Sequence, residues 1–355
     1  MTGRAAPSTS VLGGRALALL VGVVGGLAAL YARVPVPWLI GGLGACALAA
    51  GAGLPLVAPP PVGERLMRVA IGVALGPSIA ASLASAGGRV GLVVVAALSL
   101  TVASVALGTP WFERRLGLAR PGAYLAAMPG GLSMLLGLAG DVPDRALVVL
   151  AHTVRVVVVV VSVSLLARGL GVPPEAAPLG ATLELDNGTS WWLLAALIGG
   201  FFALAERVRV PGGHVIATMA GTALLAAFTD LPIEPPEIVK TAAMLVVGVT
   251  LGVEVASGSR GRRARAFSSS AAFTAAIMAC GALAALGLSR AGDAHFLVLF
   301  LALAPGGIAE VSLVALALGL DAGLVAFVHA CRFGFIVVAG PAGLYLFGRA
   351  ARRGR

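Results

Sequence analysis

Apolar stretches of about 20 residues recur along this chain, and a helix of that length can cross the roughly 30 Å hydrocarbon core of a membrane. Twelve can be recognised, and short links that hold most of the charge separate them: Ala16–Ala32, Val36–Gly53, Leu66–Ala86, Val90–Thr109, Pro121–Gly140, Asp144–Ala167, Gly188–Ala205, Pro211–Phe228, Glu237–Ala256, Ala266–Leu288, Ala294–Leu320 and Asp321–Phe347. The pattern predicts an all-α polytopic membrane protein, with the lipid bilayer as its surroundings.

The composition agrees with this prediction and excludes several soluble classes. Hydrophobic residues make up 59% of the chain and charged residues only 11%, whereas a soluble globular protein carries roughly 25% charged residues. The 3 cysteines are too few for a secreted disulfide scaffold. The formal charge is +10, but aromatic residues are only 5% and the arginines stand between apolar runs. Direct nucleic-acid binding, which needs basic patches on a solvated face, is therefore not expected.

The chain contains an internal duplication. When the sequence is aligned with itself so that Pro35 matches Pro211, three short motifs of the first half match motifs of the second half. A fourth motif matches if one further residue is inserted. The superposed pairs are Pro35–Ile40 with Pro211–Ile216, Ile71–Gly76 with Val247–Gly252, Pro129–Gly131 with Pro305–Gly307, and the set Asp144, His152 and Arg155 with Asp321, His329 and Arg332. Four matches in order at a nearly constant offset indicate two homologous halves.

The distribution of basic residues predicts how the halves are oriented. If the two segments that carry Pro-Gly-Gly fold back without crossing, 18 of the 25 Lys and Arg residues lie on one side and 5 on the other. If all twelve segments cross, the best division is 14 to 9. The positive-inside rule favours the first arrangement, with ten crossings, inverted halves and both termini in the cytoplasm. Twelve crossings stay as the alternative.

This orientation divides the chain into five parts. We expect a cytoplasmic N-terminus at 1–15 and a first membrane repeat at 16–167. A periplasmic acidic linker at 168–187 then leads to a second repeat at 188–348, and a basic cytoplasmic tail follows at 349–355.

A proline and two glycines interrupt one apolar segment in each half, as Pro129-Gly130-Gly131 and Pro305-Gly306-Gly307. Proline removes a backbone donor, and glycine leaves the helical conformation readily. Paired helix breaks at equivalent positions of two halves are typical of a transporter's binding site. We therefore predict that these residues bind substrate through the N–H groups of the following half-helix, together with the nearby Ser133. The alternative is a kink that only shapes packing.

A histidine and an arginine follow each break at His-x-x-Arg spacing. Arg155 and Arg332 lie inside apolar segments, where an arginine costs at least about 2.5 kcal/mol and normally faces a cavity or a partner. Helical periodicity places each arginine on one face with the histidine three residues before it and with an aspartate further upstream: His152 and Asp144, and His329 and Asp321. Because a guanidinium suits bidentate recognition of carboxylate or phosphate, we predict that both arginines and both histidines contact the substrate. The alternatives are that Arg332 neutralises Glu310, or that it bonds to carbonyls freed at the breaks.

Glu310 lies five residues beyond Pro305, inside an apolar run. A carboxylate within a membrane is a candidate carrier of protons or cations, or a counter-ion. We therefore predict that Glu310 couples transport to an ion. Its counterpart in the first half is Met134, so the site cannot be symmetric.

The chain offers little sign of a metal or an organic cofactor. The histidines occur singly, and the pattern His-x-x-x-His or Cys-x-x-Cys is absent from the sequence. Walker and nucleophile-elbow motifs are absent as well. We expect no cofactor, no metal and no enzymatic activity.

The duplicated motifs, above all the two Pro-Gly-Gly and His-x-x-Arg elements, resemble the AbrB-type bacterial inner-membrane family. The resemblance covers about residues 16 to 348. It implies location in a bacterial inner membrane. Family members typically carry Glu after Leu-Ser; Glu310 matches this position and Met134 departs from it. Members are often labelled ammonia monooxygenase or AbrB family regulator. By analogy only, the broken-helix layout is similar to cation/proton antiporters and bile-acid symporters.

These observations favour a secondary transporter of a small anionic or polar solute, coupled to protons or cations. A membrane-embedded regulator that affects gene expression through a partner, without transport, is the alternative. An enzyme similar to ammonia monooxygenase is a distant third. A homo-oligomer is left open.

Overall fold

The computed structural model describes residues 9–85, 89–130, 144–172, 191–208, 212–229, 231, 233, 235–256, 260–292 and 295–353. This part of the chain forms thirteen helices and no strand. They are α1 (Thr9–Tyr31), α2 (Pro37–Gly51), α3 (Pro61–Ser85), α4 (Arg89–Leu116), α5 (Arg120–Ala127), α6 (Arg145–Gly169), α7 (Trp191–Val208), α8 (Gly213–Phe228), α9 (Glu237–Ala256), α10 (Arg260–Arg290), α11 (Phe296–Leu303), α12 (Ile308–Ala317) and α13 (Ala322–Arg353). The all-α polytopic class predicted from the apolar runs is confirmed.

Seven of the described helices, namely α1, α3, α4, α6, α9, α10 and α13, are long and apolar enough to cross a membrane. The helices α2, α7 and α8 are shorter, with 15, 18 and 16 residues, and occupy the other three expected crossings. The first and last helices extend beyond the predicted apolar segments, because α1 begins at Thr9 and α13 continues to Arg353; the division into five parts stays a prediction. Most of the acidic linker, 173–187, lies outside the described residues.

The starts of the helices repeat with the offset of the sequence motifs. The helices α2, α3 and α5 begin at 37, 61 and 120, and their counterparts α8, α9 and α11 begin at 213, 237 and 296. This is the shift that lays Pro35 on Pro211. The helices that follow the breaks, α6 and α13, begin at 145 and 322, so their offset is larger by the one inserted residue. The duplication is therefore one of secondary structure as well as of motifs.

Glycines bring helices from different halves into close contact. In α3, a Cβ added at Gly72 would lie 2.8 Å from Thr218 of α8, and one added at Gly76 would overlap Thr222. Thr222 also donates to the carbonyl of Gly72 at 3.2 Å. In the same way, Gly248 of α9 lies against Leu39 of α2. The third helix of each half thus packs on the second helix of the other half, and small residues permit the approach.

The equivalent helices α4 and α10 run in opposite directions. Trp111 Nε1, near the end of α4, donates to the carbonyl of Ser269 near the start of α10 at 3.2 Å. Earlier in α4 and later in α10, a Cβ added at Gly281 of α10 would lie 3.9 Å from Leu100 of α4. Antiparallel packing of equivalent helices is the direction expected of inverted halves, whereas twelve crossings would require the two to run parallel.

The half-helices α11 and α12 form a hairpin. Leu301 of α11 and Ala304, the residue after α11, are bonded to His329 and Arg332 of α13. The separation is 28 residues in both pairs, so the two helices run parallel. Because α12 connects the end of α11 with the start of α13, it returns toward the end where α11 begins. At 8 and 10 residues, the pieces are only about 12 and 15 Å long, half of a hydrocarbon core. Neither piece alone is therefore long enough to cross a membrane.

Candidate functional site

The two Pro-Gly-Gly breaks meet inside the helix bundle. A Cβ added at Gly130, whose φ is +95°, would lie 3.7 Å from the carbonyl oxygen of Gly306. The prolines of the two breaks, Pro129 and Pro305, are both buried. Gly131 and Ser133 lie outside the described residues, and Gly307 is the residue before α12. The breaks predicted to form one site are therefore adjacent in the fold.

The helices that lead to the two breaks point their C-terminal ends at one another. Tyr124 of α5 contacts the carbonyl of Gly340 in α13 at 3.4 Å, while Gly130 lies 4.0 Å, measured from an added Cβ, from Ile336. The residue that comes later on the α5 side contacts the residue that comes earlier in α13, so these helices are antiparallel. Because α11 is parallel to α13, α5 is antiparallel to α11. Two helix ends with unsatisfied carbonyls and partial negative charge thus face each other.

In the first half, His152 and Arg155 of α6 bind the carbonyls at the end of α5. His152 Nε2 donates to Leu125 O at 2.8 Å, and Arg155 Nη1 donates to Met128 O at 2.5 Å. Arg155 Nη2 donates to Ala126 O. Both side chains are buried, with 6% and 3% of their surface exposed. Together they bond to three carbonyls at the end of α5, of which Leu125 O also accepts from Met128 N at 3.2 Å.

In the second half, His329 and Arg332 of α13 make the corresponding bonds to the end of α11. His329 Nε2 donates to Leu301 O at 3.0 Å, and Arg332 Nη1 donates to Ala304 O at 2.6 Å. Here Nη2 of Arg332 reaches across Pro305 to Gly306 O, at 2.5 Å. It also donates to His329 Nδ1 at 2.6 Å. The second arginine therefore spans the proline break, whereas the first binds carbonyls that precede it.

These contacts explain two arginines in an apolar interior. Each positive charge lies where a helix C-terminus concentrates negative partial charge, which offsets part of the cost of burial. The two guanidinium groups are also within electrostatic range of each other. Within the described residues there is no ion pair between Arg332 and Glu310; Arg332 bonds to carbonyls at the break, one of the alternatives that its position allowed. Contact with substrate stays a prediction for both arginines and both histidines.

The aspartates lie immediately before the helices that carry these side chains. Asp144 precedes α6 in a left-handed conformation, with φ 60° and ψ 30°. Asp321 precedes α13, where its Oδ1 accepts bonds from Leu324 N at 2.9 Å and from Ser82 Oγ at 2.5 Å. Each helix begins one residue after its aspartate, and the face shared with the histidine and the arginine stays a prediction.

Glu310 lies in the first turn of α12 with its carboxylate folded back over Gly307. A Cβ added at Gly307 would overlap Oε2 of Glu310. Gly307 is the N-cap residue of α12 and has no side chain to accept from the free N–H groups. The carboxylate thus occupies the positive end of the half-helix, where a negative charge is favoured. In the same helix, Ser312 is fully buried and its Oγ has no hydrogen-bond partner among the described residues.

The sequence and its motifs can now be compared with known proteins. The profile of a family described as "Transition state regulatory protein AbrB" matches residues 38–348. The chain belongs to the AbrB family. "Putative regulator AbrB" of Escherichia coli (strain K12) is 25% identical over 262 residues, which cover 70% of this chain and 72% of that protein. No solved structure matches the chain.

This AbrB family member also carries two further carboxylates, Glu254 and Glu64, that were not predicted from the sequence. Glu254 of α9 accepts from Thr153 Oγ1 at 3.0 Å and is within electrostatic range of Glu310. Glu64 of α3 accepts from Thr250 Oγ1 at 3.3 Å and pairs with Arg68 at 3.3 Å. Glu254 lies inside a predicted apolar segment, and that was the signal that could have identified it. The described residues hold no group of three or more His, Cys, Asp or Glu side chains placed to bind a metal ion.

Proposed function

We propose that this AbrB family protein is a secondary transporter of a small anionic or polar solute in a bacterial inner membrane. Both termini lie in the cytoplasm, the solute binds where the two breaks meet, and protons or cations drive its movement. The chain carries out no catalytic reaction. The adjacency of the breaks at Gly130 and Gly306 is the observation that carries the proposal. Irregular backbone at membrane depth is tolerated only where protein buries it or where it lines a cavity.

The arginines support the proposal as positioning residues. The backbone at a break between half-helices can bind a solute specifically only if it is held in one conformation. Arg155 and Arg332, with their histidines, bond to the carbonyls at the ends of α5 and α11, and Arg332 also bonds to Gly306 O within the second break. The N-terminal side of the second break, at α12, carries no such clamp among the described residues and is the side left to the solute.

Glu310 supports coupling to protons through competition for one position. When ionised, its carboxylate lies at the start of α12 over Gly307, where the helix dipole stabilises a negative charge by about 0.3–1 kcal/mol. When protonated, it loses that stabilisation, and the carboxylate or phosphate of a solute takes its place. Solute and proton then move together, because each anion that binds requires one proton on Glu310.

The test is flux into liposomes that contain the purified protein and a pH-sensitive dye. A panel of organic anions is offered with and without a pH gradient. For any anion that is transported, Glu310→Gln should remove the dependence on the gradient, while the control Arg290→Gln should behave like the wild type. Absence of flux across the panel in folded protein would refute transport. Flux by Glu310→Gln that still follows the gradient would refute the role of Glu310.

A regulator is the second candidate, and the names of the family and of the Escherichia coli relative favour it. In that case the protein alters transcription through a cytoplasmic partner. Deletion would then change transcript levels while every solute pool stays constant, and crosslinking would recover the partner. Under the transport proposal, a solute pool changes first, and Glu310→Gln reproduces the deletion.

A further inference from the structure

Basic residues from four helices converge at one end of the bundle. We call this the basic end. It consists of the last turn of α4, the first turns of α5 and α6, and the first two turns of α10. Its eight arginines are Arg114, Arg115, Arg120, Arg145, Arg260, Arg262, Arg263 and Arg265.

Apolar packing shows that these helix ends are neighbours. Leu116 of α4 and Leu147 of α6 pack against the same cluster as Ala266 of α10, which is fully buried. Trp111 Nε1 of α4 donates to both the carbonyl and the Oγ of Ser269 in α10, at 3.2 and 3.0 Å. The arginines next to these residues therefore lie at one level of the bundle.

Few acidic residues balance this charge. Among the described residues of the basic end, the acids are Glu113, whose Oε1 lies 3.9 Å from Arg120 Nε, and Asp144. Arg114 and Arg265 are exposed. Arg115 lies with its guanidinium carbon 4.9 Å from the centre of the Trp111 ring. Because that ring is bonded to α10, the cation of α4 is fixed beside the basic turns of α10.

The depth of the basic end points to lipid. It lies at the ends of α4 and α10, which are long and apolar enough to cross a membrane, so it is level with the phosphates of one leaflet. Tryptophan favours this depth, and clustered arginines attract anionic headgroups. We propose that the basic end binds the headgroup phosphates of anionic phospholipids such as phosphatidylglycerol. This proposal is independent of transport, because it rests on the membrane fold alone.

The internal duplication supplies a matched control. Under the shift that relates the two halves, Arg114 and Arg265 correspond to Arg290 at the end of α10 and Arg89 at the start of α4. Because α4 and α10 are antiparallel, the second pair lies at the opposite end of the same two helices. Arg114→Gln/Arg265→Gln and Arg89→Gln/Arg290→Gln thus remove equal charge at equivalent positions.

The experiment measures phosphatidylglycerol bound to the full chain in detergent by native mass spectrometry. We expect Arg114→Gln/Arg265→Gln to bind at least threefold more weakly than the wild type, and Arg89→Gln/Arg290→Gln to bind unchanged. The charge-conserving Arg114→Lys/Arg265→Lys should retain most of the binding, and it serves also if the glutamine variant does not fold. Equal loss in both pairs, or no loss in either, would overturn the proposal.

Two further arms distinguish other ligands. Inorganic phosphate that displaces the lipid at equal concentration would show a site for soluble anions and overturn the proposal. A short RNA that binds the wild type in place of phosphatidylglycerol would overturn it too. Phosphatidylcholine, which carries no net charge, should bind the wild type as weakly as it binds the glutamine variant.

Discussion

Arg332 donates from Nη2 to Nδ1 of His329 across 2.6 Å. Because the other ring nitrogen donates to Leu301 O, these roles assign His329 the neutral form with its proton on Nε2. The histidine thus links the end of α11 to the arginine that spans the Pro305 break. In a buried hydrogen-bonded pair of this kind, the loss of either side chain leaves the other without its hydrogen-bond partner.

Replacement of Arg332 tests its structural role. Arg332→Gln should lower the free energy of unfolding by about 3 kcal/mol, because at least one buried carbonyl of Ala304 and Gly306 loses a charge-assisted hydrogen bond. The measurement is an unfolding titration in mixed micelles. Arg290→Gln, at an exposed position, should stay within about 0.5 kcal/mol of the wild type. Unchanged stability combined with lost transport would instead identify Arg332 as a substrate ligand alone.

The two histidines should differ in what their loss costs. His329→Phe removes a donor to Leu301 and an acceptor for Arg332, whereas His152→Phe removes the bond to Leu125. The first variant should therefore be less stable than the second by about 1–2 kcal/mol. The same unfolding titration compares them. Equal losses would show that the bond between Arg332 and His329 contributes nothing.

The glycine contacts between halves predict a position-dependent effect of one methyl group. Gly248→Ala places a Cβ against the backbone carbonyl of Leu39, so we expect destabilisation by about 1–3 kcal/mol. Gly44→Ala in α2 meets nothing within 4 Å, and its better helix propensity should stabilise by up to about 1 kcal/mol. Thermal unfolding in detergent would show shifts of opposite sign. Shifts of the same sign would contradict the interleaved packing.

Single cysteines can decide between ten and twelve crossings. In a variant without Cys46, Cys280 and Cys331, we expect Arg114→Cys and Arg265→Cys to react from the cytoplasm and Arg290→Cys from the periplasm. A membrane-impermeant maleimide applied to intact cells and to inverted vesicles reads this out. Twelve crossings would place Arg114 and Arg290 on the same side, and Arg265 opposite to them.

Hydropathy predicts the helices well in this chain because the membrane imposes both length and composition on each crossing. The segment Glu237–Ala256 has the same bounds in the sequence pattern and in the structure. The breaks at Pro129 and Pro305 were also evident, since a proline inside an apolar run kinks or ends the helix that contains it. Features that depend on one helix and its neighbour in sequence could thus be predicted.

The partners of the arginines could not be predicted in the same way. Arg155 reaches Met128 only because α6 runs parallel to α5 at a separation of 27 residues, and nothing local sets that separation. Glu254 was overlooked for a similar reason. Its importance comes from Thr153 and Glu310, which lie on two other helices. The sequence shows which charged residues lie in apolar segments, but only the tertiary fold determines which groups contact them.

The exchange of partners between halves, Gly72 with Thr218 and Gly248 with Leu39, bears on the ancestry of the chain. A single half would leave its glycine-lined helix uncovered unless it paired with a second copy of itself. Fusion of two such copies in one gene turns an interface between chains into an interior. It also frees the halves to diverge, since a substitution no longer appears twice. The position that carries Glu310 in the second half corresponds in the sequence to Met134 in the first half, and this is the kind of difference that such freedom permits.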